Sequence, residues 1–220
     1  MALLSGGIDP ATVRAGLARV REQIIAAGRD PREVEVLAAV KYVPADQLPA
    51  LAAAGVRLVG ENRAQELIAK SDAHPGMFTW DFIGHLQSRK VRQVLPRVRY
   101  IHSVCSDSVL AQLQRHADER TQVLVEVNVS GEPGKDGVAP EALDAFLGRC
   151  PVPVIGLMTM PPRTDDPERS RPYFRALREL GMRLGLEHLS MGTSQDYPVA
   201  LQEGATIVRI GTTLYRPPAA

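Results

Sequence analysis

Short apolar runs alternate with amphipathic helical stretches along nearly the whole chain, and no other feature restricts its fold as much. Eight runs read as strands, near residues 34–41, 57–61, 80–85, 100–104, 122–129, 152–158, 187–191 and 206–211. Between them, ADQLPALAAAG ends in Gly55, a good helix stop, and SDSVLAQLQRHADER opens with a Ser/Asp cap. APEALDAFLGRC carries Pro140 near its first turn, and the stretch after Pro172 aligns Tyr173, Leu177, Leu180 and Leu184 on one face. Ahead of the first strand, Val13, Leu17, Val20 and Ile24 stack on one face of a helix that Gly28 can end. Eight βα units predict a single closed (β/α)8 TIM-type barrel over residues 1–220, with an additional N-terminal helix completing the outer ring where the chain stops after strand eight. The competing open, doubly wound sheet lacks a GxGxxG after its first strand.

A chain of 220 residues suits one well-packed domain and would be cramped as two. Its 26 Lys+Arg balance 25 Asp+Glu, so charge gives no reason to expect nucleic acid or a membrane as partner. Arg89, Lys90, Arg92, Arg97 and Arg99 read as a solvated helix face. Cys105 and Cys150 lie far apart and form no CxxC pair, which points to a reducing compartment, and no metal-ligand spacing is present among the five histidines. MALLSGG lacks the features of a signal peptide and no run spans a bilayer, so the expected location is the cytoplasm.

In such barrels ligands bind where strands end, so the polar residues closing each strand are the candidates. Strand one closes on Lys41 directly after VLAAV, where partial desolvation would favour the neutral amine that forms an imine with an aldehyde; the alternative is a lysine snorkelling to solvent. SMGTS after strand seven and GTT after strand eight offer small residues, hydroxyls and free backbone N–H groups where this fold usually holds phosphate; each alone could be an ordinary turn. Arg209 shares a strand face with Gly211 and, facing inward, would be a buried cation near a ligand or else the partner of a carboxylate such as Glu61 or Glu126. His85 is a pocket candidate or a structural histidine, Met158 and Met160 read as filler, and GEPGKD has the wrong spacing for a phosphate loop. SGEPGKDG and PPRTDDPER should be exposed, mobile loops.

AAVKYVPADQL, GENRAQEL, WDFIGHLQSRK, VEVNVSGEPGKDG, IGLMTM, HLSMGTSQDYPVAL and VRIGTTLY, in that order, resemble the pyridoxal phosphate homeostasis proteins, the YggS/PROSC family. The resemblance implies a barrel like the N-terminal domain of alanine racemase, with pyridoxal 5′-phosphate as cofactor, held as a Schiff base on Lys41. It implies Asn62 beside the cofactor, Ser190, Gly192, Ser194, Gly211 and Thr212 around the phosphate, and Arg209 facing the pyridine nitrogen. Thr193, Gln195, Arg89 and the closing LYRPP depart from the family's usual residues. A permanent cation at the ring nitrogen disfavours its protonation and weakens the ring as an electron sink. Racemases add a tyrosine from another domain, which this chain is not expected to carry. The implied function is therefore a non-catalytic carrier in vitamin B6 homeostasis that buffers the cofactor and hands it to apo-enzymes; the alternative is a small alanine-racemase-like enzyme acting on amino acids. The pocket residues come from one chain, which is compatible with a monomer.

Overall fold

The computed structural model describes residues 7–215, so Arg216, Pro217 and Pro218 of LYRPP and the start of MALLSGG lie outside the described residues. Eight parallel strands close into a barrel in simple sequential order: β1 (Glu35–Ala39), β2 (Leu58–Glu61), β3 (Thr79–Phe82), β4 (Tyr100–Val104), β5 (Gln122–Glu126), β6 (Val154–Met158), β7 (His188–Thr193) and β8 (Ile207–Ile210). β1 closes the ring by pairing Leu37 with Arg209 and Ala38 with Ile210. Each predicted strand is present, and most are a few residues shorter than the apolar run that announced them. β5, for example, stops at Glu126, and Val127 joins only an isolated bridge to Val138.

α1 (Pro10–Ala26) precedes the barrel, and α2 (Leu48–Ala53), α3 (Ala64–Ala73), α4 (Val91–Val94), α5 (Asp107–His116), α6 (Leu143–Leu147), α7 (Arg171–Leu184) and α8 (Tyr197–Gln202) link successive strands. α9 (Thr212–Tyr215) follows β8. Among the described residues no helix is long and apolar enough to cross a membrane. Side-chain alternation splits the apolar residues into two cores. The larger lies between strands and helices and includes Ile101, Val123, Val125 and Leu157; the smaller is the barrel lumen, built on Leu37, Leu124 and Ile207.

Helices bury close to the predicted faces, with two shifts. α7 buries Phe174, Leu177 and Gly181, leaving Tyr173 and Leu180 half-buried, because Phe174 rather than Tyr173 fills the space beneath the helix. α1 buries Val13, Gly16, Val20 and Ile24, and half-buries Leu17. Gly16 explains how α1 completes the outer ring: a Cβ there would stand 2.9 Å from Leu214 Cα and 3.0 Å from the Thr213 carbonyl oxygen. The N-terminal helix thus lies backbone-to-backbone against the turn that follows β8.

That contact is testable. Alanine in place of a helical glycine ordinarily gains about 1 kcal/mol. For Gly16→Ala we expect instead a net loss of about 1–3 kcal/mol, since the opposing atoms are backbone and cannot swing aside. Gly181→Ala, which meets only the tip of the Leu189 side chain, should be near neutral. Urea denaturation of the two variants makes the comparison.

Candidate functional site

The exits of β1 and β2 are fastened together by a buried ion pair. Lys70, on α3, is 2% exposed; its Nζ donates to the Val40 carbonyl at 2.9 Å and pairs with Glu61 Oε1 at 2.6 Å. The other oxygen of Glu61 accepts the backbone N–H groups of Asn62 at 2.5 Å and Arg63 at 3.1 Å. Glu61 therefore fixes the loop carrying Asn62, while Lys70 holds the carbonyl just before Lys41. Tyr215 adds a second hold on this exit, its hydroxyl donating to the Ala39 carbonyl at 3.0 Å. Neither Lys70 nor Tyr215 was singled out from the sequence.

Lys41 itself stands in the turn beyond β1, exposed, with its Nζ 5.2 Å from the centre of the Tyr42 ring. The residue as a whole is exposed because the strand stops at Ala39 and the turn carries it beyond the buried layer. Asn62 is half-buried, and its Oδ1 is buried without a hydrogen-bond donor. Such an orphaned acceptor costs free energy until a ligand or water donates to it. Gly84 permits this arrangement, since a Cβ there would fall 2.2 Å from the Asn62 carbonyl oxygen.

Across the mouth, the two glycine-hydroxyl clusters meet. Ser194 Oγ accepts the backbone N–H of Gly211 at 3.0 Å and that of Thr213 at 3.4 Å, and Thr212 opens α9. Gly192, near the end of β7, has φ +88°, and a Cβ there would lie 2.6 Å from that of Ala200, so the position requires glycine. Asp196, unnoticed in the sequence, shapes the loop: Oδ1 accepts the Thr193 N–H at 2.8 Å and its hydroxyl at 3.0 Å, while Oδ2 accepts the Ser170 hydroxyl at 3.0 Å. The result is a cluster of hydroxyls and backbone N–H groups in which the Thr193, Gly211 and Thr213 N–H groups already have partners within the two loops.

Ser190 belongs elsewhere. It is fully buried in the lumen, and its hydroxyl accepts Arg209 Nη1 at 2.9 Å and lies 2.9 Å from His102 Nδ1. Arg209, 5% exposed, also donates to the carbonyls of Ser190 and Thr159, each at 2.9 Å, and touches Met160 Sδ. Neither Glu61 nor Glu126 pairs with it; burial holds its guanidinium down to about 10, and Glu126 and Asp196 act only at a distance. His102 Nε2 meets Asp81 Oδ2 at 3.1 Å. Burial lowers the histidine's proton affinity, so it is neutral, and an ionised carboxylate can only accept. Nε2 therefore carries the proton, Nδ1 accepts from Ser190, and every donor in Arg209–Ser190–His102–Asp81 points the same way down the barrel.

Burial would push the Asp81 carboxyl up, but bonds from His102 and Arg99 outweigh it and hold it below the usual range. Arg99 reaches Asp81 at 2.8 Å and Glu35 at 2.6 Å, closing the far end of the lumen. It is thus no part of a solvated helix face. Arg89 and Arg92 are exposed as expected of a solvated face, and Arg89 and Lys90, with Asn62, Arg63 and His85, line a cavity of about 250 Å³ flanking the mouth beside β2 and β3. Asp81 and His102 were missed, yet for Asp81 a signal existed: it is a polar residue between the outward apolar neighbours Trp80 and Phe82 in a strand, which turns it to the lumen, whereas His102 follows Ile101 but precedes the polar Ser103. His85 is exposed and pairs with Asp136 at 3.0 Å, Lys135 pairs with Glu132 at 2.8 Å, and both cysteines are free thiols.

A closed parallel barrel with a lysine at the β1 exit, a buried arginine on β8 and a cluster of hydroxyls where β7 and β8 end defines a class of barrel proteins related to alanine racemase. Residues 8–217 match the family described as alanine racemase, N-terminal domain. The chain is 42% identical over 213 residues to a pyridoxal phosphate homeostasis protein of Aquifex aeolicus, covering 90% of this chain and 93% of that protein. It is 32% identical over 232 residues to one of Bos taurus, covering 92% and 85%. The chain belongs to the pyridoxal phosphate homeostasis protein family. PipY of Synechococcus elongatus with pyridoxal phosphate bound superposes with a TM-score of 0.80 at 33% identity, covering 93% of this chain and all of that one. Alanine racemase from Corynebacterium glutamicum shares the fold, with a TM-score of 0.73 at 19% identity over all of this chain and 65% of that one.

Removing Lys70 should expose how much the mouth depends on its ion pair. We expect Lys70→Met to cost about 3–5 kcal/mol by stranding Glu61, and Glu61→Gln in the same chain to recover most of that loss. Chemical denaturation of the single and double variants at neutral pH checks both.

Proposed function

We propose that this barrel holds pyridoxal 5′-phosphate reversibly at its C-terminal mouth, through an imine bond to Lys41, and that it buffers and delivers the cofactor rather than turning over a substrate. The cofactor brings an aldehyde for an amine, a phosphate dianion and a pyridine ring. On this chain Lys41 Nζ is the amine, at a strand exit secured by Lys70 and Tyr215. Gly192, Ser194, Gly211 and Thr212 take the phosphate, and the free Oδ1 of Asn62 offers an acceptor at the opposite side. Ser190 acts through Arg209, whose fork it holds from below.

The observation that carries the reading is Arg209. It is a buried cation with its hydrogen bonds committed to neutral groups, so its charge remains available to the mouth. Facing the ring nitrogen, it would keep that nitrogen unprotonated, which suits holding better than carbanion chemistry. The names of the homologous proteins and the cofactor in PipY support the same reading. Transfer to apo-enzymes and a cytoplasmic setting accord with it.

Incubated with pyridoxal phosphate, the wild-type protein should turn yellow. Lys41→Ala should lose that visible absorbance and bind at least about tenfold more weakly, the equivalent of about 1.4 kcal/mol. Both quantities follow from spectra and equilibrium dialysis, and borohydride trapping followed by mass spectrometry should locate the adduct on Lys41. Amino-acid α-proton exchange in deuterated water at enzyme-like rates would favour the racemase-like alternative instead.

A further inference from the structure

Glu126 ends β5 with its side chain in the lumen, two residues after Leu124, which lines it. The residue is 8% exposed, and no hydrogen bond or ion pair reaches its carboxylate among the described residues. Across the mouth, Arg209 likewise has no carboxylate partner among the described residues; its fork is occupied by Ser190, Thr159 and Met160. Two opposite charges therefore share one opening without touching. The other groups facing Glu126 are Asp136 and Lys135 from the loop after β5, His85 from the loop after β3, and Cys105 from the loop after β4. Burial pushes the Glu126 carboxyl up to about 7; Arg209 opposes this, and Asp136 reinforces it.

We infer that Glu126 sets how tightly the mouth holds an anionic cofactor, its neutral form leaving the field of Arg209 to the ligand and its ionised form competing for that field. The inference rests on the cofactor reading above. An anion bound in the mouth makes Glu126 harder to ionise. By reciprocity, the proton on Glu126 strengthens the hold on the anion. The sign follows: a group with its proton affinity raised in the loaded state supports binding below the free-state value, and that support is lost as pH rises through the loaded-state value. One unit of displacement corresponds to about a tenfold change in affinity.

Glu126→Gln keeps the shape and mimics the neutral form. The ratio of the wild-type to the variant dissociation constant for pyridoxal phosphate, from quenching of Trp80 fluorescence, cancels contributions of Lys41 common to both proteins. We expect a ratio near 1 at pH 6 that rises about tenfold by pH 8.5. In the cofactor-free protein, carbon NMR of labelled glutamate should show a carboxyl titrating near 7 that is absent from the variant. Asp136→Asn, at an exposed position, should move that titration to lower pH and carry the rise in the ratio with it. A ratio that stays flat from pH 6 to 8.5 while both proteins bind overturns this inference alone. Failure of both proteins to bind pyridoxal phosphate overturns the functional reading, and this inference with it.

Discussion

The organising constraint of this barrel is a guanidinium buried in its lumen. Withdrawing such a charge from water costs several kcal/mol even after relaxation. Among the described residues the fold offsets that cost without a direct counter-ion, using the carbonyls of Ser190 and Thr159 and the Ser190 hydroxyl. The hydroxyl is a good acceptor because its own proton is committed to His102, and His102 is fixed in one tautomer because Asp81 lies beneath it. Asp81 in turn is paired with Arg99, which it shares with Glu35 at the far end. The charge on Arg209 and the charge on Asp81 are separated by two neutral groups whose dipoles align with the field between them. Loss of any one link would leave a buried polar group unpaired, so the line behaves as a unit.

The mouth above this line has two unlike halves. On the β7–β8 side the backbone is locked: Asp196 collects three hydrogen bonds, Ser194 ties two loops, and Gly192 sits against α8 at a backbone angle that side chains rarely adopt. On the β1–β2 side the backbone is equally secure, through Lys70 and Glu61, but the side chains it presents are uncommitted. Lys41 stands in solvent, and Asn62 Oδ1 has no donor. A rigid frame holding free functional groups limits the ordering cost of taking a ligand to those few side chains.

Much of this was legible in the sequence because barrels write themselves in short repeats. Apolar runs gave the strand order, and the glycine-hydroxyl clusters after strands seven and eight correctly meet in space. The strand-end rule also placed Lys41, Asn62 and Arg209 at or below one mouth. What the sequence hid was distance across the ring. Asp81, His102 and Ser190 come from three strands, and nothing in their spacing says that these three side chains meet one another. Lys70 lies nine residues beyond Glu61 and faces back over β1, a contact that depends on how α3 packs. Arg99 looked like one more surface cation because its carboxylate partners are far away in sequence. The exposure of Lys41 likewise follows from where β1 stops, two residues short of what the apolar run suggested.

That exposure bears on the kind of work the site can do. An enzyme that runs carbanion chemistry on an imine gains from excluding water, which would hydrolyse the bond and solvate the developing charge. A carrier needs the reverse, since release proceeds by water attacking the same bond. On the proposed reading, a lysine in an open turn beyond its strand would give water that access, while the buried arginine and the hydroxyl-rich loops of β7 and β8 would hold the other parts of the ligand noncovalently. On that reading covalent capture and noncovalent grip would fall on opposite sides of the mouth. Breaking the first does not require disturbing the second, which is the condition for a hold that is both firm and reversible.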